Sequence, residues 1–130
     1  MKIMVGYDLS NVAKEALETA KKHAKAFDAE VYVLTSLARS PEMKREDIQK
    51  AEHELENIRI DFKENGISCT THAIVSSQSP GEDLVQFAVE NKVDEIVIGV
   101  RRRSKVGKLL FGSNAQYIIL KATCPVVAVK

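Results

Sequence analysis

Four short apolar runs restrict this chain more than any other feature: Ile3-Met4-Val5, Val31-Tyr32-Val33-Leu34, Ile96-Val97-Ile98 and Val126-Val127-Ala128-Val129. Each is too short for a buried helix and apolar on both faces, as a strand between two covering layers must be. Extended to their polar ends, the first three become strands over Met1 to Tyr7, Glu30 to Leu37 and Asp94 to Val100. The intervening segments carry helical periodicity. After a cap at Ser10 or Asn11, residues Ala13, Ala16, Leu17, Ala20, Ala24 and Phe27 fall on one stripe, predicting a helix to about Phe27. A second helix is expected from Glu42 to Asn65, with Ile48, Ala51, Leu55, Ile58 and Phe62 inward and Gly66 ending it in the left-handed conformation. Ser79-Pro80-Gly81-Glu82 opens a third, with Leu84, Val85 and Ala88 inward, stopping near Asn91. A fourth runs from Ser113 to about Ala122, where Pro125 soon forbids continuation. Between the second and third helices, Ile67 to Val75 alternates apolar with polar residues and predicts a strand near a sheet edge. Five strands alternating with four helices, joined by right-handed crossovers, give an α/β fold. It is a single doubly wound five-stranded parallel sheet with helices on both faces, one domain over 1–130.

Ligands of such sheets bind beyond the strand C-termini, where strand order reverses. If the first and fourth strands are central neighbours, Asp8 and the segment after Gly99 face one crevice. That segment, Val97 to Ser113, is basic and punctuated by glycine, with Arg101, Arg102, Arg103, Lys105 and Lys108 before a helix start at Gly112-Ser113. Unpaired N–H groups and the positive end of a helix dipole suit an anion there, and Gly99, lacking a Cβ, lets a ligand approach the main chain. The same residues have a plainer reading. Ser113-Asn-Ala-Gln116 is also an ordinary capping box, a basic loop is usually solvated, and Asp8 can serve neighbouring loop amides.

Taken together, Gly6-Tyr-Asp-Leu-Ser10, Val93-Asp-Glu-Ile-Val-Ile-Gly99, Gly112-Ser113 and Cys124-Pro-Val-Val-Ala-Val129 resemble the universal stress protein family along the whole chain. Nucleotide-binding members carry G-x2-G-x9-G-[ST] after the fourth strand, and Gly99, Gly112 and Ser113 match it. Arg102 replaces the second glycine. It either closes the site or holds a phosphate through its guanidinium, with Gly107 giving the loop slack. The resemblance implies a Rossmann-like sheet of the adenine nucleotide alpha hydrolase-like kind that binds ATP, with or without Mg2+ or Mn2+. It implies Asp8 by the adenine or ribose, Ser36 bordering the base and Val75 at the mouth. Gly99 would meet the ribose and first phosphate, with Arg101 and Arg102 in the same basic loop, and Gly112, Ser113 and the Asn114 amide would take the outer phosphates. It also implies a homodimer through Val126 to Val129, an edge that wants cover in any case, and a regulatory or stress-response role toward an unknown protein partner. The alternative is a nucleotide-free dimeric interaction protein of the same fold, its site closed by Arg102.

Other classes are disfavoured. A receiver domain needs an aspartate after the third strand, where this chain has Val75-Ser-Ser-Gln-Ser79. Gly107-Lys108-Leu109 lacks the upstream glycine and hydroxyl of a Walker loop, and no G-x-G-x-x-G follows the first strand. His23, His53 and His72 have no metal-ligand spacing and no triad converges, so at most slow ATP hydrolysis is expected. Nineteen Lys and Arg against eighteen Asp and Glu leave a net charge of +1, too little to draw the protein onto nucleic acid or an anionic membrane. The first strand begins too early for a signal peptide, no apolar run reaches the roughly twenty residues of a membrane span, and Cys69 and Cys124 read as reduced thiols. The expected location is the cytoplasm.

Overall fold

The computed structural model of the chain describes residues 1–101 and 112–130. Strands β1 (Lys2–Gly6), β2 (Glu30–Ala38), β3 (Cys69–Ser76), β4 (Glu95–Gly99) and β5 (Val126–Val129) alternate with helices α1 (Asn11–Phe27), α2 (Arg45–Glu64), α3 (Pro80–Glu90) and α4 (Ser113–Lys121). All strand pairs are parallel, in the order β3-β2-β1-β4-β5. The expected doubly wound sheet is therefore present, with β1 and β4 adjacent at its centre and β3 and β5 at its edges. Val5 of β1 is flanked by Val33 on one side and Val97 on the other.

The period-two alternation of the central strands divides the core into two layers. Ile3, Val5, Tyr7, Val31, Val33 and Val97 pack beneath α1 and α2 with Ala16, Ala20, Leu55 and Phe62. Met4, Leu34, Ile96, Ile98 and Val100 pack beneath α3 and α4 with Leu84, Ala88 and Ile118. Each layer is continuous because the strands are apolar on both sides, which is why their runs show no alternation in sequence.

Helix ends follow the capping chemistry. The Ser10 hydroxyl accepts from the Ala13 amide at 3.1 Å, and Ser79 accepts from Glu82 at 3.3 Å while donating its own proton to the Glu82 carboxylate. Gly66 closes the turn after α2 at φ 75°. One expected helix start and one expected cap differ. Helix α2 begins at Arg45 rather than Glu42, because Met43 N–H turns back to Ser40 and the Asp47 carboxylate accepts the Lys44 amide at 2.9 Å, fixing the start there. Helix α4 is capped by Gly112, in extended conformation with no side-chain bond, so Ser113 is its first residue rather than the cap of a Ser113–Gln116 box. The Gln116 amide instead donates to the Gly112 carbonyl at 3.0 Å.

The two outer helices on the first face are clasped by Lys21 of α1. Its ammonium bonds Asp61 of α2 and Glu18, and it lies 5.3 Å from the centre of the Phe62 ring. Among the described residues no helix is long and apolar enough to cross a membrane.

Candidate functional site

Crossovers leaving β1 and β4 go to opposite faces, and between them opens a cleft of about 400 Å³ at the strand C-termini on the α3/α4 side. Its floor is set by alternation. Met4, Gly6 and Asp8 share one face of the first strand and its exit, Leu34 and Ser36 the same face of β2, and Ile98 and Val100 that of β4. Gly6 is what keeps the floor open: a Cβ there would run into the Leu84 side chain and come 3.5 Å from Ile98. Leu84 and Ile118 form the apolar wall from α3 and α4, and Gly112, Ser113, Asn114 and Arg101 rim the far end.

Of the residues singled out by sequence, Asp8, Ser36, Gly99, Arg101, Gly112, Ser113 and Asn114 all line this one cleft. Arg102 and the other basic residues of its loop lie outside the described residues. Val75 is not brought to the cleft. On β3 it alternates with Ile74, which packs into the α3/α4 layer, so its side chain takes the opposite face of the sheet.

The side chains have definite commitments. Asp8 Oδ1 accepts the Ser10 amide at 3.1 Å and the Ser10 hydroxyl, an Asx turn that holds the β1–α1 loop. Leu9, between them, is held at φ 70°, a conformation that costs a leucine on the order of 1 kcal/mol. Asp8 is exposed and is the one carboxylate among the described residues lining the cleft. The Ser36 hydroxyl donates to Asp83 Oδ2 at 2.7 Å. Asn114 Oδ1 accepts the Gly81 amide at 3.0 Å, so this side chain satisfies an unpaired donor of the first turn of α3 and ties the two helix starts together.

The glycines prove to serve different masters. A Cβ on Gly99 would lie 2.5 and 2.6 Å from the Val12 carbonyl carbon and oxygen and 2.8 Å from the Ala13 nitrogen. Its absence therefore admits the start of α1, on the face away from the cleft. Gly81 is needed by its neighbours too, with Asn114 and Tyr117 within 3.3 Å of a would-be Cβ. Gly112 is different. It has φ −63°, open to any residue, and among the described residues nothing lies within 4 Å of where its side chain would be.

Sequence reasoning passed over Gly6 and Asp83. Gly6 had a signal in the alternation Met4-Gly6-Asp8, which places it beside Asp8. Asp83 had one in lying on the inward side of a helix next to Leu84. It is 6% exposed. Among the described residues no group of three or more His, Cys, Asp or Glu side chains could hold a metal ion. His23 is engaged away from the cleft, its Nδ1 2.9 Å from Glu95.

The family model described as the universal stress protein family matches residues 1–130. The chain belongs to that family. A universal stress protein of Methanocaldococcus jannaschii is 32% identical over 143 aligned residues, covering 99% of this chain and 81% of the relative. The solved structure of a universal stress protein from Archaeoglobus fulgidus superposes with a TM-score of 0.88 at 38% identity, covering 100% of this chain and 98% of that one. A universal stress protein from Archaeoglobus fulgidus was also solved in complex with dAMP. It is 34% identical, with a TM-score of 0.83 and the same coverage. The universal stress protein fold thus accounts for the five-stranded α/β architecture.

Proposed function

We propose that this chain is an adenine-nucleotide-binding regulatory module of the cytoplasm that acts as a homodimer. The observation that carries the reading is the convergence of Asp8, Ser36, Arg101 and the glycine-capped start of α4 on a single cleft. The cleft's polarity gives the ligand a direction. Its α4 end offers the amides of Ser113 and Asn114, a helix dipole and a guanidinium, the complement of phosphate. Its β2 end offers Leu34, Leu84 and Ser36, the complement of a base with an apolar face and polar edge. Asp8 stands between, its Oδ2 without a hydrogen-bond partner among the described residues and proposed to take a ribose hydroxyl. The dAMP bound by the Archaeoglobus fulgidus relative supports the same ligand class.

ATP is the proposed nucleotide. With Asp8 the single cleft carboxylate among the described residues, an accompanying Mg2+ or Mn2+ would be held mainly by phosphate oxygens and water. Arg102, replacing the glycine of the nucleotide-binding branch, is proposed to contribute its guanidinium to the phosphates. Dimerisation is proposed through β5, which among the described residues is paired only with β4, and the occupied cleft is proposed to alter contacts with a partner protein.

The test is to denature the purified protein, separate any released nucleotide by anion exchange, and melt the protein with and without Mg-ATP. Released ATP is expected, or a stabilisation of roughly 2.7 kcal/mol at a hundredfold excess over the dissociation constant. Neither release nor a shift with any adenine or guanine nucleotide would overturn the reading in favour of a nucleotide-free dimeric module with its site closed by Arg102.

A further inference from the structure

Asp83 is a buried carboxylate outside the cleft's lining, and nothing in the binding scheme above uses it. It sits in the first turn of α3, at 6% exposure, and its Oδ2 takes the proton of Ser36 at 2.7 Å. Ser36 itself does line the cleft. A serine hydroxyl has one proton and two acceptor lone pairs. A carboxylate bond to that proton is charge-assisted and stronger than a neutral one, and here the carboxylate end of the bond is buried. The proton is thereby turned away from the cleft, and only lone pairs face inward.

We infer that Asp83 is a positioning residue that fixes Ser36 as a pure hydrogen-bond acceptor and so makes the cleft select a base bearing an exocyclic amine over one bearing an oxo group. The inference rests on the proposed nucleotide reading and deepens it. The geometry supplies the register. With phosphate at the start of α4 and Arg101, beside β4, a ligand crossing β1 to Ser36 on β2 spans two strand spacings, about 10 Å. An amine at the distal edge of a purine donates to Ser36 Oγ. An oxo group in its place sets two acceptors against each other and leaves both unpaired in a partly dry site, the arrangement polar sites reject most strongly.

The experiment compares the dissociation constants of ATP and inosine triphosphate, which differ at that edge, for the full chain by calorimetry. The intact protein is expected to favour ATP by about tenfold or more, the scale of one unmet buried hydrogen bond. In Asp83→Ala the freed hydroxyl can donate as well as accept, and the ratio is expected to fall to within about threefold. In Ser36→Ala, which keeps the carboxylate in place, the ratio should fall likewise. A merely structural role would weaken both nucleotides together and leave the ratio alone. Persistence of the preference in either variant overturns the inference, as does equal binding of the two nucleotides by the intact protein, which leaves the nucleotide reading standing. Failure of the intact protein to bind either one overturns both.

Discussion

Three glycines of the same cleft region make a graded experiment. Gly99→Ala drives a methyl into the main chain of α1, which cannot rotate away. A loss of about 3 kcal/mol is expected in denaturant unfolding, at the upper end for overpacking. Gly6→Ala meets the end of the Leu84 side chain, so the expected loss is smaller, about 1 kcal/mol. Gly112→Asp should do the opposite to stability. An aspartate is a better cap than glycine, and a gain of a few tenths of a kcal/mol is expected, while its carboxylate stands where phosphate is proposed and should abolish the Mg-ATP melting shift. A preserved shift in that variant would remove Gly112 from the site. Sequence made Gly99 conspicuous but did not display the packing reason for it. The spacing to Gly112 and Ser113 identified the position, whereas the Val12 carbonyl that demands a glycine comes from a helix over eighty residues earlier in the chain.

At the scale of elements, the strands and helices were legible because each carries its own period, and the ends were legible where a cap is local, as at Ser10, Ser79 and Gly66. The failures were competitions that a linear pattern does not display. The acidic residues after Glu42 suit a helix, yet the turn at Ser40 to Met43 takes the first amides and leaves Asp47 to cap from within. Val75 looked suitable for the mouth until the pleat assigned it to the other face. Strand β5 permits a prediction from the same pleat. Ile96 donates to the Pro125 carbonyl and Val100 to that of Val129, so alternation turns the amides of Val126 and Ala128 outward. Ala128→Pro therefore removes an outward donor without breaking the β4 ladder. The expected result is loss of the proposed dimer in sedimentation, with the fold retained; an unchanged dimer would place the interface elsewhere.

For the whole molecule, the resolved shifts of its partly buried titrating groups point one way. Burial pushes the Cys69 thiol up from 9.0 to about 11, and burial likewise raises Cys124. Burial raises Tyr7, with Glu54 and Asp8 adding to it. Burial works to lower Lys21, but its bonds to Asp61 and Glu18 outweigh that and raise it. In each case the folded protein holds its proton more tightly than the unfolded chain does, so stability is complete below the ordinary values of these groups and falls as pH rises through the raised ones. Calorimetric scans should show a melting temperature that declines steadily from about pH 9 to pH 11. The Cys69 thiolate absorbance should appear only toward the upper end, and a flat profile would refute the assignment.

The strand order also carries a consequence for synthesis. Because β1 is central, one of its edges waits for β4, and a growing chain must complete some ninety-five residues before Ile3 and Val5 gain their second neighbour. Until then any sheet made by the first three strands alone would keep a bare, apolar rim. Asp8 and Ser36 are made early, but their counterparts beyond Gly99 emerge only after β4. A nucleotide bound as proposed would therefore have nothing to guide during translation; it would only lock a sheet that has already closed.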